Sequence, residues 1–326
     1  MKAIVIDKPG DESVLKIGEA PEPVPGPNEL LIEVRCTSVN RADLMQRQGF
    51  YPPPPGASPI LGLDCAGEVI GHGDKVTGWS YGQRVMALLA GGGYAEKAVV
   101  DAGSAMRVPA VLSDEEAAAF PEVFLTAFLN LFMLAEVRAG ETALIHGGGS
   151  GVGTAAIHLL TEAGVRSIVT AGSDEKCELC RGFGADVAIN YNSGPFAAKV
   201  KEATKGRGAD VILDSIGAGY LGQNIEAMAP GGRLIMIGLM KGTKAEIDLA
   251  AVLRRHLRII GSTLRGRSVE EKAAIVSAFL ARFGKALDEG KLRPPIYKTL
   301  PLANAADAHR LMHSSHHFGK IVLRVS

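Results

Sequence analysis

Along the first 118 residues, apolar positions come in short runs or in alternation, at 30–34, 66–70, 84–89 and 94–100, each cut off by Pro or Gly clusters. Runs of that kind, bounded by such punctuation, predict strands, so this stretch is a β-rich module. The Pro-rich segment 21–27 predicts an extended connection between the first strands. From about residue 119 the pattern changes. Apolar runs at 142–146, 167–171, 187–190, 211–214 and 232–238 alternate with helical periods that begin near Gly151, Asp174 and Gly222. Strand–helix alternation predicts a parallel, doubly wound sheet. A last strand falls at 257–262, and residues 263–326 add a helix (269–289), a short strand near Tyr297, a second helix (302–313) and a closing strand (319–325). The expectation is an α/β chain in which residues 1–119 and 263–326 form a β-rich domain and residues 120–262 a nucleotide-binding domain.

Composition narrows the function. The 326 residues carry 35 Lys and Arg against 35 Asp and Glu, a formal net charge of 0. A dedicated nucleic-acid binder needs a basic face to displace phosphate counterions, so no nucleic-acid partner is expected. The apolar run after Met1 is too short for a signal peptide. The most membrane-like stretch, 117–137, is interrupted by Pro121, Glu122 and Asn130 and predicts a buried helix starting just after Pro121, not a membrane span. Four cysteines without an export signal fit reduced thiols and a cytoplasmic location. The 40 glycines point to tight turns and close backbone approaches, as around a nucleotide.

The strongest such place follows the 142–146 strand, where Gly147-Gly148-Gly149-Ser150-Gly151-Val152-Gly153-Thr154 runs into a small-residue helix. Backbone N–H groups and a positive helix end suit a pyrophosphate there, which makes Gly148, Ser150, Gly151, Val152 and Gly153 candidate cofactor residues. The spacing G-x-x-G-x-G also occurs in glycine turns that merely pack a helix on a strand; the complete strand–helix–strand unit favours the nucleotide. About 20 residues on, where NAD sites usually carry a carboxylate, the next strand ends in Ala171-Gly172-Ser173-Asp174-Glu175-Lys176. A hydroxyl and a lysine in place of a tip carboxylate favour a 2′-phosphate, hence NADPH, with Ser173 and Lys176 as its contacts. Asp174 and Glu175 also fit an ordinary solvated helix start, the less favoured alternative.

Several segments together resemble a family. Asn40-Arg41-Ala42-Asp43-Leu44-Met45-Gln46-Arg47-Gln48-Gly49, Tyr51 with the following prolines, Leu61-Gly62, Ala119-Phe120-Pro121-Glu122, Leu125-Thr126-Ala127, Ser150-Gly151-Val152-Gly153-Thr154-Ala155-Ala156 and Gly319-Lys320-Ile321-Val322 are similar to the medium-chain dehydrogenase/reductase superfamily. Within it they resemble the zinc-independent NADPH:quinone oxidoreductases, the group of the p53-inducible enzyme and its bacterial relatives. That resemblance implies a GroES-like β-rich catalytic domain and a Rossmann domain, with hydride passing from the nicotinamide of NADPH to a quinone in an interdomain cleft. It further implies Asn40 and Thr126 beside the nicotinamide, Tyr51 as hydrogen-bond or proton donor, and Tyr191 at the adenosine phosphate end. By the same likeness Gly238, Leu239, Met240, Leu264 and Arg265 cover the nicotinamide side, and Lys320 either approaches the phosphates or lies on the surface. Zinc-binding members have a Cys and a His where this chain has Asn40 and Leu63, and zinc needs three or four N or S donors, so no metal is expected. Cys177 with Cys180, and His309 with His313, His316 and His317, are expected to be a partly buried helix face and a surface helix end.

Two other functions fit the same sequence: an NADPH-dependent enoyl-thioester reductase, with Arg41, Arg47 and Arg265 as candidate contacts for a carrier phosphate, or a nucleotide-binding non-enzyme. A homodimer is expected through residues 234–237, read as an apolar edge of the nucleotide sheet.

Overall fold

The computed structural model describes all 326 residues, which divide into two compact units: Met1–Leu125 with Leu264–Ser326, and Thr126–Thr263. In the first unit the strand Glu29–Ser38 pairs antiparallel with Asp64–His72 and with Lys97–Asp101. Its side chains alternate, so Leu30, Ile32 and Val34 enter a core with Cys65, Val69, Val85 and Leu89. The closing strand Lys320–Arg324 lies antiparallel beside Glu29–Ser38 with Val322 opposite Ser38, and runs parallel to Ile296–Pro301. The chain's end is thereby built into the centre of its first domain. The stretch containing Phe120 and Phe124 breaks at Pro121 into Asp114–Ala118 and Pro121–Phe128, and a π-helical turn, Leu129–Leu134, follows. No helix is long and apolar enough to cross a membrane.

The second unit is a six-stranded parallel sheet in the order Val187–Asn190, Arg166–Ala171, Thr142–His146, Ala209–Asp214, Met228–Met236, Arg258–Gly261. Chain order reverses between Thr142–His146 and Ala209–Asp214, and sheets of this type take ligands at the carboxyl ends of the strands flanking such a switch point. Leu144, Ile168, Ile212 and Leu234 form one apolar layer across the four central strands.

One expectation is corrected. Residues 234–236 belong to an internal strand, paired on one side with Ala209–Asp214 and on the other with Arg258–Gly261. Their double-sided apolarity reflects burial between two strands and two helical layers. One edge of the sheet is Val187–Asn190 and the other, on this side, is Arg258–Gly261, where Ile259 is exposed; Leu249 and Leu253 on the helix Leu249–Arg254 are exposed as well. We propose that the homodimer forms through this edge, since an unpaired strand with apolar exposure offers both backbone partners and area. Light scattering at micromolar concentration should give twice the chain mass, and Ile259→Pro, which removes a donor from the edge, should give the monomer.

Candidate functional site

In the second unit the strand Thr142–His146 leads into Gly147 and then the helix Gly151–Glu162. A Cβ on Gly153 would lie 2.2 Å from the carbonyl oxygen of Gly147, and one on Gly148 would lie 2.6 Å from the side chain of Val169 and 3.1 Å from Cys180 Sγ. Any larger residue at either position would push the helix off the sheet. Ser150 caps the helix, its Oγ accepting from Gly153 N at 3.0 Å. The N–H groups of Gly151 and Val152 head the first turn, where helical N–H groups have no intrahelical acceptor. An anion is the natural complement to such a turn, and the donors present fit the pyrophosphate of a dinucleotide.

A buried polar chain lies under that turn. Asp214 Oδ1 accepts from Ile216 N, and Asp214 Oδ2 accepts from Asn224 Nδ2 at 3.1 Å. This fixes Asn224 Oδ1 toward His146 Nε2 at 2.7 Å, so Nε2 carries the proton. His146 Nδ1 then accepts from Thr170 Oγ1 at 3.0 Å, tying the ends of three strands together. Burial pushes the His146 imidazole down to about 4, against the hydrogen bond to Asn224 that favours its protonated form. Sequence reasoning missed this chain because its members are separated by up to 78 positions.

At the end of the Arg166–Ala171 strand, Ser173 caps the helix Asp174–Gly182, with Oγ accepting from Lys176 N at 3.2 Å. Burial lowers the affinity of the Lys176 ammonium for its proton. Asp174 Oδ1 accepts from Asn190 Nδ2 at 2.9 Å, which directs that carboxylate to its neighbour. Tyr191 leans over Gly172, whose Cβ would lie 2.6 Å from the phenolic oxygen. Ser173, Lys176 and Tyr191 therefore all belong to the segments around Gly172. Gly238 packs on the backbone of Ser215, while Leu239 and Met240 are exposed.

In the first unit, Asn40 precedes the helix Arg41–Arg47, and its N–H donates to Asp43 Oδ2 at 2.8 Å. Its carboxamide is held at both ends: Oδ1 accepts from Lys320 Nζ at 2.5 Å, and Nδ2 donates to Asp64 Oδ2 at 3.2 Å. Of the two alternatives for Lys320, burial removes the surface one. The residue is only 1% exposed, and its ammonium also donates to Val39 O at 3.2 Å and lies 3.7 Å from Asp64. Asp64 takes further donors from Ser38 N and Oγ. Burial raises Asp64 and pushes Asp43 up to about 7, although Asp43 accepts from Gly62 N and from Tyr94 Oη.

The expectation for His309 is corrected, the residue being fully buried. Arg47 NH1 faces its Nδ1 at 3.3 Å, so Nδ1 is the acceptor and Nε2–H meets Tyr94 Oη at 3.1 Å. Arg47 itself pairs with Glu12. Arg265, too, is committed inside the unit: it donates to Ala90 O, Tyr51 O and Gln46 Oε1, and its guanidinium stands 5.3 Å from the Tyr51 ring centroid. It clamps the loop that carries Tyr51, whose phenol burial pushes up. Leu264 is buried beside it, and Thr126, the first residue of the second unit, is buried with its carbonyl accepting from Asn130 Nδ2. Cys177 and Cys180 are both buried, which raises both thiols, Cys180 to about 12. No group of three His, Cys, Asp or Glu is placed to hold a metal.

A glycine turn at the switch point of a six-stranded parallel sheet and a separate GroES-like β unit define a two-domain nicotinamide-nucleotide oxidoreductase. Residues 26–110 match the alcohol dehydrogenase GroES-like domain and residues 151–281 the zinc-binding dehydrogenase family. The quinone oxidoreductase of Rattus norvegicus is 31% identical over 99% of this chain and 97% of its own length. A mycocerosic acid synthase-like polyketide synthase of Mycobacterium tuberculosis is 35% identical over 98% of this chain, which spans only 15% of that protein. Among solved structures, a mycobacterial protein complexed with NADPH superposes with a TM-score of 0.88 at 29% identity over 100% of both chains. The CurK enoyl reductase does so with a TM-score of 0.88 at 26% identity over 100% of this chain and 99% of that one. The chain belongs to the medium-chain dehydrogenase/reductase superfamily.

Two outcomes follow from the buried charges. Lys320→Met leaves Asp64 buried without its cation and should cost about 3–5 kcal/mol in denaturant unfolding, part of which Lys320→Met with Asp64→Asn should recover. His146 has its folded-state value depressed from 6.5, so the stability it contributes is present above pH 6.5 and is lost as pH falls toward 4. His146→Gln should flatten thermal melts across that window, by up to about 3 kcal/mol.

Proposed function

We propose that the chain is a zinc-independent, NADPH-dependent quinone reductase. The observation that carries this reading is the Asn40 carboxamide held between Lys320 and Asp64, Asn40 being one of the two positions, with Leu63, where the resemblance puts zinc ligands in metal-using relatives. When bound, the nicotinamide supplies a hydride from C4. The chain's residues do the rest. The turn from Gly148 to Gly153 with the helix start holds the pyrophosphate, and Ser173, Lys176 and Tyr191 hold the 2′-phosphate. Asn40 has one Nδ2 hydrogen beyond the one given to Asp64, and this donor, fixed in direction, orients the nicotinamide or a reacting oxygen. Thr126 is assigned to the nicotinamide face by the resemblance. Tyr51, its loop pinned by Arg265, donates a hydrogen bond or proton to the quinol oxygen. A quinone needs no Lewis acid because the incoming charge spreads over two oxygens of an aromatic product.

The second reading is an enoyl-thioester reductase, favoured by the polyketide synthase relatives and the enoyl reductase fold. Against it, two of its three basic candidates, Arg47 and Arg265, are buried and spent on internal partners, which leaves Arg41.

NADPH oxidation followed with 9,10-phenanthrenequinone, 1,4-benzoquinone and crotonyl-CoA, with NADH as control, separates the readings. Quinone turnover with NADPH is expected; turnover with crotonyl-CoA alone moves the substrate to acyl thioesters. Tyr51→Phe should lower quinone turnover at least several-fold with NADPH affinity intact, and unchanged steady-state turnover removes Tyr51 from the mechanism.

A further inference from the structure

The segments around Gly172 hold a group that no sequence motif marks. Lys241 lies in the loop after the strand Met228–Met236, with its N–H donated to Ile216 O at 2.8 Å and its carbonyl accepting from Gly219 N at 3.2 Å. Its backbone is thus pinned beside the start of the helix Ala218–Ala227. The side chain extends to Tyr191 and Tyr220, with Nζ 5.7 Å and 5.2 Å from their ring centroids, the two rings being 6.3 Å apart. Tyr191 is the same residue whose phenolic oxygen overhangs Gly172, at the strand end where dinucleotide folds read the ribose 2′ position. Asn192 Nδ2 donates to Gly172 O at 2.7 Å, so the Tyr191 segment and the strand end are bonded together.

Charge counting makes this position matter. Asp174 and Glu175 begin the helix that carries Lys176, and one lysine against two carboxylates gives an unfavourable start for binding a dianion. A second cation beside the Tyr191 ring brings the sum over these four side chains to zero. Cation–ring contact alone holds an exposed ammonium weakly, so Lys241 can swing from the ring faces to an anion at modest cost.

We infer that Lys241 is a second cation for the 2′-phosphate of the dinucleotide, delivered across Tyr191, and thereby a determinant of NADPH over NADH. This rests on the NADPH reading above. The test is calorimetric titration of the full chain with NADPH, NADH, 2′,5′-ADP and 5′-AMP, for wild type, Lys241→Gln, Lys241→Arg and, as reference, Lys176→Gln. Lys241→Gln should weaken NADPH and 2′,5′-ADP by about tenfold, the scale of one partly screened charge-assisted contact, and leave NADH and 5′-AMP within about twofold. Lys241→Arg should restore most of the loss, and added salt should shrink the difference. Equal losses with all four ligands, or no loss with the phosphorylated pair, overturn the role of Lys241. A wild type that binds NADPH and NADH alike overturns the NADPH reading and this inference together, whereas a discriminating wild type with an unaffected Lys241→Gln overturns this inference alone.

Discussion

A buried ammonium has to be answered where it stands, and in this chain the answer comes from residues 256 to 281 positions away. Lys320 reaches Asp64, Asn40 and Val39 only if the closing strand Lys320–Arg324 lies beside Glu29–Ser38 in the observed register. Any slip by one residue would turn Lys320 to the other face and strand the buried Asp64 carboxylate without its cation. The pairing therefore fixes which strand the C-terminal segment joins and in what phase. A well-packed apolar cluster of equal volume would be no less stable. What the charges add is direction: Asn40 has one amide orientation, since its oxygen faces a donor-only ammonium and its nitrogen an acceptor.

The nucleotide unit applies the same logic with a carboxylate. Asp214 takes two backbone N–H groups and the Asn224 amide, which sets Asn224, then the His146 tautomer, then Thr170. Each link has one consistent donor direction, so the chain is rigid under the glycine turn. Above it, Gly153 and Gly148 allow the helix to approach the strand closely, and the position of the first-turn N–H groups follows from both constraints. Preorganised donors of this kind bind an anion without the cost of ordering them afterwards.

Strand periodicity carried most of the architecture. The runs at 30–34 and 142–146 lie in observed strands and the run at 84–89 overlaps Arg84–Leu88, because alternation and buried apolar runs are local signals. Short helices such as Arg41–Arg47, Phe196–Ala203 and Leu249–Arg254 left no such mark: six to eight residues complete about two turns, too few for a period to show against loop sequence. The edge of the nucleotide sheet was misplaced because an internal strand and an apolar edge have the same composition, and only pairing distinguishes them. As local structure, the glycine turn and the helix start at Ser173 were legible from spacing. Lys320, His309 and Arg47 were not, since a charged residue in a sequence gives no sign of whether a distant partner lets it be buried.

The exchange of metal ligands for Asn40 and Leu63 changes the chemistry more than its address. Zinc would accept a lone pair directly and stabilise an alkoxide. An amide N–H fixed by a lysine and an aspartate supplies a hydrogen bond of set direction, and such preorganised donors assist where charge develops without having to reorganise. On the proposed reading it serves an acceptor that delocalises the incoming charge by itself, as a quinone does across its ring and an enoyl thioester does into its carbonyl. Both substrate classes thus share one requirement of the site. The choice between them passes to the groups that would hold the rest of the substrate: an apolar plane needs only a surface to stack on, whereas a phosphorylated carrier needs cations that are not already spent. With Arg47 on Glu12 and His309, and Arg265 on three acceptors, two of the three candidate cations for such a carrier are spent on the unit's own fold.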